Sequence, residues 1–323
     1  MDIISANISI LNPLIKREEV EKIFEQLTNE LNGLVLTSNL EKESYSFCFT
    51  LNKTKADWKL GGNCIVKTEV DPLEYIDSLS DDEIELFKTS GGLLSVAEYV
   101  LCENFSQRIF DFFIAFNLAY PGFFELSDIE IFYNDKKSKT IGTCICNLMD
   151  VYLESANKGW PEIKILPITR TWDWLNSKTN FLYGTSSNSI ERALNAFTYL
   201  FNSPGYEDLF YCLLGIEAIY NSDQNNGVME QIREKITLLI GLPEDGKKII
   251  RNMYSVRSDF IHGRLNFPSK FTSLDGTKEF EKFVLDDYGN TLNTATGILV
   301  ATLQKFIENN SNELETITQL RFK

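Results

Sequence analysis

Between Leu209 and Tyr220 the chain reads LFYCLLGIEAIY, a stretch apolar nearly all round a helix and charged only at Glu217. A helix without a polar face has to be covered on every side, which commits its surroundings to other helices. Inside such a stretch the Glu217 carboxylate needs a partner if it is to stay ionised.

The neighbouring sequence supplies those helices. The small, turn-rich segment at 184–189 marks a change in composition, and the residues after it read as helix broken by short connections. Spacing of apolar residues predicts helices over about 190–201, from Ser203-Pro204 through Tyr220, over 228–240, and from Pro243 to a stop at Gly263. A last segment carries Phe280, Val284, Leu292, Ala295, Leu299, Leu303 and Phe306, with a break expected at 288–290. Connections this short give an antiparallel bundle.

Ahead of residue 184 the periods are mixed. Ile3–Leu11, Tyr45–Leu51, Cys64–Val70, Ile129–Tyr133 and Ile163–Ile168 read as strands, and Glu18–Leu31 as a helix. Ser80 followed by Glu83 fits a capping box that opens a short helix. The expected fold class is therefore α+β, with a mixed α/β region at 1–183 followed by an all-α bundle at 184–323. Two domains also suit a chain of 323 residues.

Charge narrows the function. The formal net charge is −15, which argues against a protein that coats nucleic acid or an anionic membrane over its whole surface. Residues 1–180 hold 17 basic and 28 acidic side chains, whereas 247–270 hold six basic residues against Asp259 alone. A basic island thus sits in an acidic protein. The one histidine, His262, rules out sites that take two imidazoles from a single copy. Six cysteines without metal-type spacing read as reduced thiols. The N-terminus lacks the pattern of a secretory signal, and the aromatic run Phe112–Phe124 is interrupted by Pro121-Gly122, so a cytoplasmic protein without a membrane segment is expected. The eight acids between Glu69 and Glu85 read as a solvated helix start; a hydrolase built on Asp81, Asp82 and Glu83 would need a divalent ion held by oxygen ligands.

One helix does not read as scaffold. On a wheel of ~100° per residue, the segment ending at Gly263 places Ile249, Met253, Val256 and Phe260 together, and Arg257 falls inside that stripe. A guanidinium cannot shed its charge, so an acid, a phosphate or water has to meet it, and Glu217 is the obvious acid. His262 projects with Lys247, Arg251, Ser255 and Ser258 on the opposite, polar stripe, ~140° from Arg257. The two converge only if the last turn loosens or another surface closes over both.

The segment YSVRSDFIHG at 254–263, preceded by the GIEAIY helix and a helical hairpin, resembles a HEPN domain of the ApeA-like group, in which an R-x4-6-H motif ends a bundle helix. The resemblance covers roughly 185–310. In many HEPN nucleases Asn, Asp or His follows the arginine; here Ser258 follows, with Asp259 next, and the Arg-Ser pair is similar to the ApeA-like group. The resemblance implies a metal-independent, cofactor-free endoribonuclease acting as a homodimer. RNA brings its own nucleophile, so His262 and its symmetry mate would move the protons while Arg257 holds the phosphate, leaving a 2′,3′-cyclic phosphate. Ser258, Asp259 and Glu217 would support this pair, and Lys247, Arg251 and Arg264 would steer the RNA backbone. The alternative is a non-catalytic module that uses the same face to dimerise or to hold RNA. By the same analogy, the acidic N-terminal domain would sense a trigger or regulatory partner in phage defence and restrain the basic cleft.

Overall fold

The computed structural model describes residues 1–11, 17–40, 43–56, 59–142, 148–181, 184–201, 205–221, 227–265 and 288–315. Ser203-Pro204, Phe280 and Val284 lie outside them, as do two of the six cysteines, Cys144 and Cys146, and one of the six cations of the basic island, Lys270. The chain forms two compact units. One comprises Met1–Asn117, Phe123–Thr143 and Pro167–Trp172; the other comprises Leu118–Gly122, Cys144–Leu166 and Asp173–Lys323. This grouping differs from a cut at residue 184, because residues 144–166 belong with the later helices.

In the first unit six strands form one antiparallel sheet: β1 (Asp2–Leu11), β2 (Val35–Leu40), β3 (Glu43–Ala56), β4 (Lys59–Val70), β5 (Glu125–Tyr133) and β6 (Lys136–Ile141). Their order is β2-β3-β4-β1-β5-β6. Alternation decides which face is buried. Ile4, Ala6, Ile8 and Ile10 of β1, Tyr45, Phe47, Phe49 and Leu51 of β3, and Cys64 and Val66 of β4 are in the core, while Cys48, Lys67 and Glu69 are exposed. Helices α1 (Arg17–Leu31) and α4 (Leu93–Ala119) cover the buried face. Phe112 and Phe105 of α4 meet Phe49 and Phe47 at ring separations of 4.7 and 5.8 Å. Phe24 of α1 lies over Gly62, where a Cβ would sit 2.8 Å from Leu51 Cδ1 and 3.1 Å from Phe24 Cζ.

The sheet ends at β6, whose sequence KKSKTI carries three lysines along the edge. Between sheet strands, α2 (Pro72–Asp77) and α3 (Asp81–Ser90) hold most of the acidic stretch. The capping box is present: Ser80 N–H donates to Glu83 Oε2 at 2.8 Å, and Glu83 N–H donates to Ser80 Oγ at 3.4 Å. Asp81, Asp82 and Glu83 are the first turn of α3, beside the positive end of its dipole. Among the described residues no group of three or more His, Cys, Asp or Glu side chains is placed to hold a metal ion, and no helix is long and apolar enough to cross a membrane. The long α4 is not legible in the sequence as one helix, since it is apolar on most sides and so lacks a clear period. Its buried charges, Arg108 and Asp111, pair with each other at 2.9 Å.

The second unit is mainly helical: α5 (Leu148–Lys158), most of α6 (Ile168–Lys178), α7 (Ser189–Tyr199), α8 (Asp208–Tyr220), α9 (Val228–Ile240), α10 (Gly246–Ile261) and α11 (Tyr288–Asn309). Helix α11 is its axis, buried almost continuously from Ala295 to Gln304. Against it lies α8, close enough that a Cβ on Gly215 would sit 2.9 Å from Leu299 Cδ1. Tyr220 and Thr302 share a hydroxyl hydrogen bond of 2.7 Å across the same pair. Cys212 is buried there, as Cys64 and Cys102 are in the first unit; Cys48 is exposed, and all four are free thiols.

Four expectations change. Tyr288, Gly289 and Asn290 are the first residues of α11 and not a break in it. Residues 163–167 are not a strand, and Ile168 begins α6. Their backbone groups bond outside any ladder: Leu166 N–H donates to Ala119 O at 2.8 Å, Lys164 N–H donates to Gln304 Oε1 at 2.9 Å, and Gln304 Nε2 donates to Lys164 O at 2.7 Å. Helix α10 starts at Gly246 rather than at Pro243, which shapes the turn before it through a Gly246 N–H to Pro243 O bond of 2.8 Å. Finally, α8 is not buried all round. Leu214 is 58% exposed, and Phe210, Tyr211 and Glu217 are half-buried.

Candidate active site at the end of α10

Helix α10 buries only its first half. Gly246, Ile250 and Met253 are enclosed, whereas Val256, Arg257 and Phe260 are half-buried and Ile261 is 55% exposed. The helix runs antiparallel to α8, because Phe260 meets Phe210 edge to face at 5.0 Å while Tyr254 and Arg257 meet Glu217, further along α8. Phe210, Leu214 and Glu217 fall on one stripe of α8 by their spacing of four and three. Leu214, between the two points of contact, remains open to solvent.

Arg257 Nη1 lies 3.4 Å from Glu217 Oε1, so the predicted acid is the partner. The pair is shallower than the sequence suggested, with 35% of the arginine side chain and 23% of the glutamate side chain exposed. The same Glu217 oxygen accepts a hydrogen bond of 2.9 Å from the Tyr254 hydroxyl. Tyr254 also places its ring 5.8 Å from the Arg257 guanidinium carbon, within cation–π range. Burial, followed by the nearby Glu217 carboxylate, raises the Tyr254 hydroxyl well above the ordinary phenol range, which keeps the proton on the tyrosine as donor. Tyr254 is a site residue missed at the level of sequence. A signal for it exists all the same: it precedes Arg257 by three, on the same face of the helix.

The last turn of α10 stays regular. His262 N–H donates to Ser258 O at 3.0 Å, in normal α-helical register, and the chain turns only at Gly263, whose φ is +64°. That left-handed residue closes the helix in the way glycine permits at little steric cost. No loosening therefore brings His262 round to Arg257 within one copy; they remain ~140° apart about the axis.

Ser258, Asp259 and Arg264 form a clasp beyond the turn. Arg264 Nε donates to Asp259 Oδ1 at 3.0 Å, Arg264 Nη2 donates to Ser258 Oγ at 3.2 Å, and the Arg264 and Leu265 amides both donate to Asp259 O. These contacts fix the reversal that leaves the His262 side chain exposed. On the same stripe as His262, Lys247 and Arg251 are exposed and without ion-pair partners among the described residues. The helix thus presents a run of open cations ending in an imidazole, flanked by a guanidinium that an acid and a phenol hold in place. Compared with protein-family models, with curated proteins and with solved structures, the chain has no match.

Proposed function

We propose that this protein is a metal-independent endoribonuclease of the HEPN type, active as a homodimer. The observation that carries the reading is the state of Arg257: oriented by Glu217 and Tyr254, yet a third open, on the helix whose end exposes the chain's only imidazole. In this reading one His262 takes the proton from the RNA 2′-OH, whose oxygen attacks phosphorus as the bond to the 5′-oxygen breaks. The departing oxygen takes a proton from the other copy's His262, and Arg257 stabilises the charge on the phosphorane oxygens. The products are a 2′,3′-cyclic phosphate and a 5′-OH. A second copy is the surface that closes over both faces of α10, and the open Leu214 and Ile261 give it apolar ground to cover.

The test is cleavage of single-stranded RNA in EDTA, with product ends identified, on protein whose mass in solution is measured in parallel. Expected are a dimer, cyclic-phosphate ends, a loss of at least ~100-fold with His262→Ala at unchanged melting temperature, and a large loss with Arg257→Lys, which keeps charge but not the planar fork. Cleavage that needs a divalent ion and survives His262→Ala would sink the proposal. Binding without cleavage by a folded dimer would favour the non-catalytic module.

A further inference from the structure

The other end of α10 helps to enclose a cavity of about 330 Å³. It lies wholly within the second unit, among the last turn of α5, residues 160–161, the turn before α10 and the start of α11. The volume is at the lower end of the range for small-molecule sites, about 300–1,000 Å³.

Its walls divide by chemistry. Trp160, Pro161, Pro243 and Ile249 give flat or apolar surface. The Trp160 indole N–H is committed to Gly241 O at 2.9 Å, which fixes the ring in place. The polar groups besides the rim pair are Ser155, Asn293, Thr294 and Asp245; the Thr294 hydroxyl donates to Asn290 O at 2.8 Å, and the other three have no side-chain partner among the described residues. Ser155 is buried as a residue, and its hydroxyl lies where the cavity wall meets α11, 3.3 Å from the position a Cβ on Gly297 would take. Asn293 offers a donor and an acceptor side by side, the complement of an edge that carries both. Asp245 offers acceptors only when ionised. Glu154 and Lys158 pair with each other at the rim, which leaves Asp245 as the uncompensated charge.

We propose that this cavity binds a flat nitrogen heterocycle of nucleobase or nucleoside size, neutral or cationic, stacked against Trp160 with its polar edge on Asn293 and Asp245. The ring surface suits stacking, the free amide suits a paired donor–acceptor edge, and the surplus carboxylate selects against phosphorylated ligands. The proposal does not depend on the nuclease reading.

The experiment uses the full chain and follows thermal unfolding and tryptophan fluorescence during titration with adenosine, guanosine, cytidine and uridine, and with ATP for comparison. Expected is saturable binding of at least one nucleoside, at least tenfold tighter than ATP, weakened at least tenfold by Asp245→Ala and by Asn293→Ala. Asp245 is exposed and makes no side-chain bond to the helix it precedes, so Asp245→Ala should melt like the parent protein. No saturable nucleoside binding, binding of ATP as tight as that of the nucleoside, or unchanged affinity in both variants would each overturn the proposal. His262→Ala should bind the nucleoside normally, which separates failure here from failure of the catalytic proposal.

Discussion

Asp208, the first residue of α8, is buried with its Oδ1 unpaired, while Oδ2 accepts the Gly205 N–H at 3.2 Å. Burial pushes its carboxyl up to about 7, with Glu207 adding to the rise and the Gly205 bond opposing it. A carboxyl whose pKa is higher folded than unfolded holds its proton better in the folded state. Its contribution is therefore intact below pH 4 and is lost as pH rises from about 4 through 7. Asp208→Asn should flatten that decline by on the order of a few kcal/mol, read from urea unfolding at pH 5 and pH 8. Asp111 in α4 is displaced in the same direction by burial, against the pull of Arg108, so part of the slope should remain. Residue identity told a good deal about the candidate site: an acid alone in an apolar helix and an arginine inside an apolar stripe do find each other. It did not tell how deep they lie, because exposure depends on what else covers α8. Nor did it reveal the clasp of Ser258, Asp259 and Arg264, which exists only once the chain reverses at Gly263.

Among the elements, those with a clear period were readable: β1, β3, β4 and β5 by alternation, and α1, α7 and α9 by helical spacing. The segment at 163–167 was not, since an apolar extended segment reads the same whether or not a neighbouring strand satisfies its backbone. Gln304 does so from α11, bonding both backbone groups of Lys164 and also Leu118 O at 2.8 Å. Replacing it with leucine keeps volume but orphans these groups. Gln304→Leu should lower unfolding free energy by about 2–4 kcal/mol, with faster amide exchange at Lys164 as the local sign.

For the molecule as a whole, composition pointed to a boundary near residue 184, but packing groups an earlier segment with the later helices. Residues 144–166 bring α5, whose Val151 and Ser155 lie where a Cβ on Gly297 would meet them at 3.5 and 3.3 Å, and Lys164, whose Nζ reaches Glu308 at 2.8 Å. A fragment limited to 184–323 should therefore expose the α11 face that α5 covers. The expected outcome is a fragment that aggregates or melts well below the full chain, checked by circular dichroism and light scattering; a melt matching the second unit in the intact chain would contradict this packing argument. The lysines of β6 bear on how copies can meet. Lys137 pairs with Glu130 and Lys139 with Glu103, so Lys136 is the ammonium left unpaired on this strand among the described residues, and an added strand would have to pack against that charge and the two ion pairs. Polymerisation of the sheet is thereby discouraged on that side, and self-association is left to surfaces elsewhere on the chain.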